Sequence, residues 1–580
     1  MSKCHPFSTD EYHIPWSELT ADRVAADIEA ALETAEKNLS AIRELDDSSL
    51  SYENTFAALE NASLDLDRAW GRLNHLDSVS SNDAQRAALN AALPTVTVFY
   101  SSIALDASIW SRLKAFSESA AAQDLDLTQK RYVEETCASF IQSGADLPED
   151  KKTRVAEIQS RLSEITQKFG ENVLDSTNAW ELIIDDEAAL AGLPESAKSA
   201  AAEDAKGKGH EGKWRFTLQQ PSSSPVMQFA DNDELRKKIW AASCTVGNEG
   251  DFNNTRLIME IIQLRQEKAD LLGFKNFADL TLERRMARNG ETALKFTEDM
   301  HRRIVERFHA ETLELQQWKA DQNNEEVGPM QPWEVSYWAE KRRKAEYAFD
   351  DEELRPYFPL HNVMEGMFGI VSTLYNIRIE EKATTTDGGA IQTWHPEVEV
   401  YDRFDNSNDE LLGSFYADWH PRESKRGGAW MNSFETGLPA TKEAAREPHL
   451  GLMCGNMTKP IGDQPALMTH YEVETIFHEF GHLLHHLLGN VTVKSLSGTN
   501  GAWDFVELPS QIMENYCWDR ESLDLFARHH ETNEPIPQDL FDKMIAARNY
   551  MSASVFMRQL ALGKLDLELH TQVEKYQGRD

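Results

Sequence analysis

Apolar residues recur at three- and four-residue steps through most of the chain, which predicts helix after helix. Residues 21–42 are the clearest case, with Val24, Ala25, Ile28, Ala31, Leu32 and Ala35 on one face. Residues 52–62, 84–93 and 153–169 repeat the style. No fixed-period repeat is evident, so a solenoid is not favoured. The pattern first breaks between Pro194 and Lys213. Ser199 to Gly209 reads as a helix end and an exposed turn, and Trp214 to Leu218 alternates like a strand. Pro221-Ser222-Ser223-Ser224-Pro225 is expected to be a loop. Helical patterning resumes at Asp233 and continues through residues 295–308 and 333–348. A strand-rich patch lies between Trp394 and Met431, with strands expected at Val398 to Tyr401 and Leu412 to Trp419. The glycines of Lys425-Arg426-Gly427-Gly428-Ala429-Trp430-Met431 suggest a bend or close backbone packing. From Thr469 to His570 the pattern is helical again. The expected fold is mainly α, with a small sheet beside one special helix. The expected divisions are a helical N-terminal lobe at 1–230, a helical middle region at 231–393 and a catalytic region at 394–580.

Composition narrows the classes of function. The chain has 580 residues, 41% of them hydrophobic, which is enough for a sizeable core and excludes wholesale disorder. Its formal charge of −38 argues against nucleic acid and against an anionic membrane surface as partners. No run of 18 apolar residues occurs, so no transmembrane helix is expected. The first residues lack an apolar signal region, so secretion is not expected and a cytoplasmic location is. Cys4, Cys137, Cys244, Cys454 and Cys517 are scattered, which suits a reducing compartment. The basic runs Arg236-Lys237-Lys238 and Lys341-Arg342-Arg343-Lys344 read as solvated helix faces.

The candidate chemistry sits in His478-Glu479-Phe480-Gly481-His482. Thr469 with Glu472 forms a capping box, and Gly489-Asn490 is a stop signal, so the motif is expected inside a helix. Four residues advance roughly 400°, so His478 and His482 point the same way, one turn apart. Both imidazoles can reach one tetrahedral zinc ion at about 2.0–2.1 Å. Glu479 lies about 100° around from His478, beside the metal, where it can act as general base for an attacking water. Chance alone would give an H-E-x-x-H in such a chain with odds of roughly one in twenty, so placement in a capped helix matters. A third ligand is needed. His485 shares the helix face, but its backbone is about 10.5 Å from that of His478 along the axis, which is awkward. The segment Asp504 to Asn515 offers Glu507, Gln511 and Glu514 on one face, expected to be embedded among Phe505, Val506, Leu508, Ile512 and Met513. A carboxylate there wants a partner, and Gln511 and Glu514 are candidates to orient the histidines.

The stretch Thr469 to His482 closely resembles the active-site helix of the thimet oligopeptidase family of zinc peptidases, in its oligopeptidase A branch. Lys425 to Met431, Pro332 to Trp338, Leu354 to Pro359 and Phe505 to Asn515 resemble further family segments, and the likeness runs from about His13 to His570. The resemblance puts the third zinc ligand on Glu507. It implies an elongated, mostly helical body of two lobes with a deep central channel and the zinc site on its floor. It implies one zinc ion per chain, short unstructured peptides as substrates, and a monomer. The expected function is therefore a zinc-dependent oligopeptidase with Glu479 as general base. The alternatives are an inactive zinc-binding peptide-binding fragment and a peptidyl-dipeptidase of the same family. Family members also carry a C-terminal segment with substrate-side His and Tyr groups, which this chain is expected to lack. Little activity is expected of the 580-residue form on that reading, with Tyr416 and His420 the first substitutes to consider.

Overall fold

The computed structural model describes residues 5–386, 391–442 and 444–576. It is mainly helical, with one two-stranded and one five-stranded sheet among the described residues. The helix Ala21–Arg43 buries Val24, Ile28, Ala31, Ala35, Leu39 and Ile42. Ala25 is exposed and Leu32 only partly covered. Asp27 is buried on the same stripe because the Phe7 amide donates to its carboxylate at 2.9 Å and His5 Nδ1 lies 2.9 Å from it. Leu64–Val79 and Asp83–Leu105 pack beside it, and Glu149–Ala179 packs on Asp83–Leu105. Asp83–Leu105 runs on through Pro94, past the end expected at Leu93. By length and apolarity alone this helix could cross a membrane. Here it packs against neighbouring helices, with Arg86 ion-paired to Asp175 and Asn90 bonded to Glu171.

Two local expectations fail for clear reasons. Residues 221–225 are not a loop but lie in the helix Gln220–Phe229. Pro221 falls in the first turn, where a missing N–H costs nothing, and Pro225 follows close behind. The basic runs are solvated only at Lys237, Lys238 and Lys341; their arginines are not. Arg236 is 3% exposed, donates to the Ala230 carbonyl and lies 4.0 Å over the Tyr337 ring. Arg342 and Arg343 pair with Glu314, Glu346, Glu340 and Asp351. Arginine at these places acts as a planar connector between helices.

β1 (Glu181–Ile184) and β2 (Trp214–Thr217) form an antiparallel pair. The larger sheet contains β3 (Ile377–Lys382), β4 (Glu399–Asp405), β5 (Leu411–Asp418), β6 (Trp430–Glu435) and β7 (His449–Cys454). Its order is β3-β4-β5-β7-β6, with β5 and β7 parallel and the other pairs antiparallel. The sequence pattern finds β4 and β5 and gives no strand at β3 or β6. It misses β7 because all six residues are buried, so no alternation marks it. The sheet is a middle layer. Phe415, Ala417 and Met453 face a core shared with the helix His470–Leu487. Tyr416, Leu450 and Leu452 face a core built with Trp16, Leu66 and Leu73 from the N-terminal region.

A buried ionic junction ties these layers together. Asp418, fully buried at the end of β5, accepts from both terminal nitrogens of Arg422 (2.8 and 2.6 Å), from Lys425 Nζ (2.8 Å) and from Trp394 Nε1 (2.8 Å). Lys425 Nζ also donates to the carbonyls of Asp418, His420 and Gly455. From the same segment, Arg422 donates to the Val79 carbonyl and the Arg426 amide to the Ser78 carbonyl, at the end of Leu64–Val79. Burial alone would raise the Asp418 pKa; Arg422 and Lys425 overrule it and hold the carboxyl well below its ordinary value. Gly427 and Gly428 make the bend after Lys425 rather than a close contact: Gly428 has φ +87° and neither would meet an atom with a Cβ.

Lys425→Met should lower unfolding free energy by about 1–3 kcal/mol in urea titrations near neutral pH, because Asp418 keeps Arg422 and Trp394 but loses one charge partner, and three carbonyls lose their donor. Asp418 has a depressed folded pKa, so its contribution is complete above about pH 4 and is lost as pH falls through the folded value. The difference between wild type and Lys425→Met should therefore shrink in acid.

Candidate active site

The helix His470–Leu487 begins as its sequence dictates. Thr469 accepts from the Glu472 amide at 3.1 Å, and the Glu472 carboxylate accepts from the Thr469 amide at 2.7 Å. Glu472 also accepts from the Thr458 amide at 2.6 Å, which pins the first turn to the loop after β7. Val473, Ile476, Phe477, Phe480, Leu483, Leu484 and Leu487 are buried. The opposite side carries His478 and His482, whose ring centroids are 5.0 Å apart.

The helix Glu507–Glu514 crosses this one at Gly481. A Cβ on Gly481 would stand 2.6 Å from Ser510 Cα and 2.7 Å from the Pro509 carbonyl oxygen. No other residue permits that approach. It brings Glu507 Oε2 to 3.2 Å from both His478 Nε2 and His482 Nε2. The ligand atoms of the three residues lie within 4.8 Å of one another. The edge of a tetrahedron with bonds of about 2.0–2.1 Å is about 3.3 Å, so two nitrogens and one oxygen at this spacing suit a zinc ion. Ser510 Oγ donates to Glu507 at 2.8 Å and steadies it. Among the described residues only one other such group occurs, His529, His530 and Glu531, three consecutive residues at a turn.

The supporting groups differ from expectation in part. Glu514 accepts from His478 Nδ1 at 2.7 Å, which turns Nε2 and its lone pair toward Glu507. Gln511 is exposed and bonds to neither histidine. The Nδ1 atom of His482 is buried without a partner. His485 stands outside the converging group. The Glu507 face is not embedded: Phe505, Leu508 and Ile512 are about half exposed, while Val506 and Met513 are buried. The Glu507 side chain is 54% exposed, so the helix crossing and Ser510 place it, not burial. Tyr416 is 1% exposed and packs against Trp16, Trp394 and Phe434 on the far face of the sheet. His420 lends its carbonyl to Lys425.

Glu479 is buried beside the histidine pair. Burial and the Glu507 charge push its pKa up to about 7, against the pull of His478 and the Met431 amide of β6. A carboxyl so placed exchanges a proton readily near neutral pH.

Residues 226–580 match the profile described as "Peptidase family M3", and residues 22–152 match "Neurolysin/Thimet oligopeptidase, N-terminal domain". The chain belongs to peptidase family M3. Among curated members similar to it, Oligopeptidase A of Haemophilus influenzae is 36% identical over 98% of this chain and 83% of its own length. Oligopeptidase A of Salmonella typhimurium is 39% identical over 91% and 77%. Dipeptidyl carboxypeptidase of the same bacterium is 31% identical over 90% and 75%. Of solved structures, PZ peptidase A with an inhibitor aligns over 99% of this chain and 83% of its own at a TM-score of 0.50 and 14% identity, a likeness of fold. The family membership agrees with the mainly helical fold and with the small sheet beside the H-E-x-x-H helix.

Two substitutions test this geometry. Gly481→Ala should drive the helices apart, cost about 1–3 kcal/mol of stability and weaken metal binding. Glu514→Ala should leave the fold intact and lower metal affinity by about 10–100-fold in chelator competition, because His478 loses its orienting acceptor.

Proposed function

We propose that this chain is a zinc-dependent oligopeptidase that cleaves internal bonds of short, unstructured peptides in intracellular peptide turnover. The observation that carries the reading is the convergence of His478, His482 and Glu507 with a buried glutamate, Glu479, next to them. His478 Nε2, His482 Nε2 and the Glu507 carboxylate would hold the metal. When bound, zinc supplies Lewis acidity toward water and the scissile carbonyl. Glu479 takes the proton of the attacking water and delivers it to the departing amine. Its burial keeps competing water from the carboxylate, and the Met431 amide fixes its direction. Glu514 holds His478 in the tautomer that leaves Nε2 free. Relatives named Oligopeptidase A at 36–39% identity support the peptidase class. The protein acts as a cytoplasmic monomer on free peptides, without nucleic acid or membrane.

The relative named Dipeptidyl carboxypeptidase supports a second reading, removal of residue pairs from C-termini. Peptides with blocked C-termini separate the two, since an endopeptidase still cleaves them. Glu479→Gln should keep one zinc per chain by elemental analysis while kcat falls by about 10²–10⁴-fold. Unchanged turnover in a zinc-replete Glu479→Gln protein would remove the general-base role.

A further inference from the structure

A cavity of about 320 Å³ opens beside β6, on the face of the sheet away from the helix His470–Leu487. Helices Leu64–Val79, Asp83–Leu105 and Glu149–Ala179 form one wall; β6 and the turn before it form the other. None of His478, Glu479, His482 and Glu507 lines it.

Its position relative to β6 matters. β6 ends the sheet, and among the described residues no strand pairs with its outer side. Along β6 side chains alternate. Met431 packs toward the helix side, and its amide meets Glu479. Trp430 and Asn432, on either side of it, line the cavity. A peptide taken up along this open edge by main-chain pairing presents alternate side chains to the cavity.

The charges in the cavity are uneven. Arg86 is matched by Asp175 at 2.8 Å. Asp77 accepts from Gln167 and Ser81, and Glu171 from Asn90. Arg426 stacks its guanidinium 4.3 Å over the Trp430 ring, and among the described residues it has no carboxylate within 4.0 Å. Next to it His75, 3% exposed, keeps a buried Nε2 without a hydrogen-bond partner. Burial and the nearby cations hold this imidazole neutral, its pKa brought down to about 3. The imidazole is packed against Trp16, Trp394 and Phe434 and backs the wall, while the exposed, flat guanidinium of Arg426 at the mouth is the group that receives a carboxylate.

We propose that this cavity is a specificity pocket for a carboxylate of the peptide substrate, with Arg426, braced by Trp430, as its counter-ion. The proposal rests on the peptidase reading and adds a substrate class to it. The carboxylate belongs to an Asp or Glu side chain or to the peptide C-terminus.

The test uses the zinc-loaded full chain and quenched-fluorescent peptides of one length. A Glu is moved through the positions flanking the cleaved bond, each peptide beside its Gln counterpart and a C-terminally amidated form. Wild type should favour Glu over Gln at one position by about tenfold in kcat/KM, mainly through KM. A fall of about tenfold in kcat/KM on amidation of Glu and Gln peptides alike would assign the carboxylate to the C-terminus; a Glu/Gln preference that persists on amidation would assign it to the side chain. In Arg426→Gln the Glu/Gln ratio should fall to about one. In Arg426→Glu it should invert, with a Lys peptide preferred, which a merely structural role would not produce. Asn432→Asp, a charge placed at the same mouth, should also depress the ratio and guards against misfolding of the arginine variants. A wild-type ratio near one at every position together with no effect of amidation, or a carboxylate preference that survives Arg426→Gln, overturns the pocket alone. Failure of wild type to cleave any of the peptides overturns the peptidase reading and the pocket with it.

Discussion

The close crossing of two helices at Gly481 governs the site. Only a residue without a Cβ lets Ser510 Cα and the Pro509 carbonyl come so near. That single contact delivers Glu507 to both imidazoles and Glu514 to the back of one of them. Glu507 itself is too exposed for burial to fix it, so its position is inherited from backbone packing. The helix His470–Leu487 is in turn seated close on β7, where a Cβ on Gly451 would stand 2.6 Å from Leu483. Sheet, first helix and second helix are thus stacked at distances set by two absent side chains, and metal geometry follows from that spacing.

The Asp418 junction performs a different task. Buried ion pairs contribute little net stability, because desolvation offsets attraction, but they are severe about geometry. Here every charge has several partners, and those partners come from β5, from the turn before β6 and from the end of Leu64–Val79. The junction therefore fixes the turn that presents Arg426 and Met431 relative to the N-terminal helices. Burial of Trp16, Leu66 and Leu73 against the far side of the sheet supplies the larger hydrophobic stabilisation of that interface.

The readable parts of the sequence were those whose signal is local. The capping box at Thr469 and Glu472, the histidine pair one turn apart, and the alternation at the start of β4 each follow from a few neighbouring residues. Parts decided by distant packing were not readable. β7 has no polar face to mark its period. Pro221 and Pro225 carry a loop signature, yet the chain keeps them in a helix buried through Val226 and Phe229. Arg236 looks solvated until Tyr337 arrives from about a hundred residues away. Glu507 was picked out by its matching segment, while the reason for its placement, the missing side chain at Gly481, lay in the motif itself. Tyr416 shows the limit of proximity in sequence, since alternation sends it to the wrong face.

The two margins of the five-stranded sheet are unlike. On β3, Arg378, Glu380 and Lys382 stand in one ion-paired row, joined by Asp409, along the outer strand. A strand seeking main-chain partners there must first displace a lattice of charges. At β6 the corresponding margin is open. Linear polymers built by edge pairing need two receptive margins per molecule, because each added unit must offer the next one a place to join. A molecule with one receptive margin and one blocked margin accepts a single extended segment and then stops, so the same asymmetry that leaves room for a guest strand keeps the protein from becoming a template for its own copies.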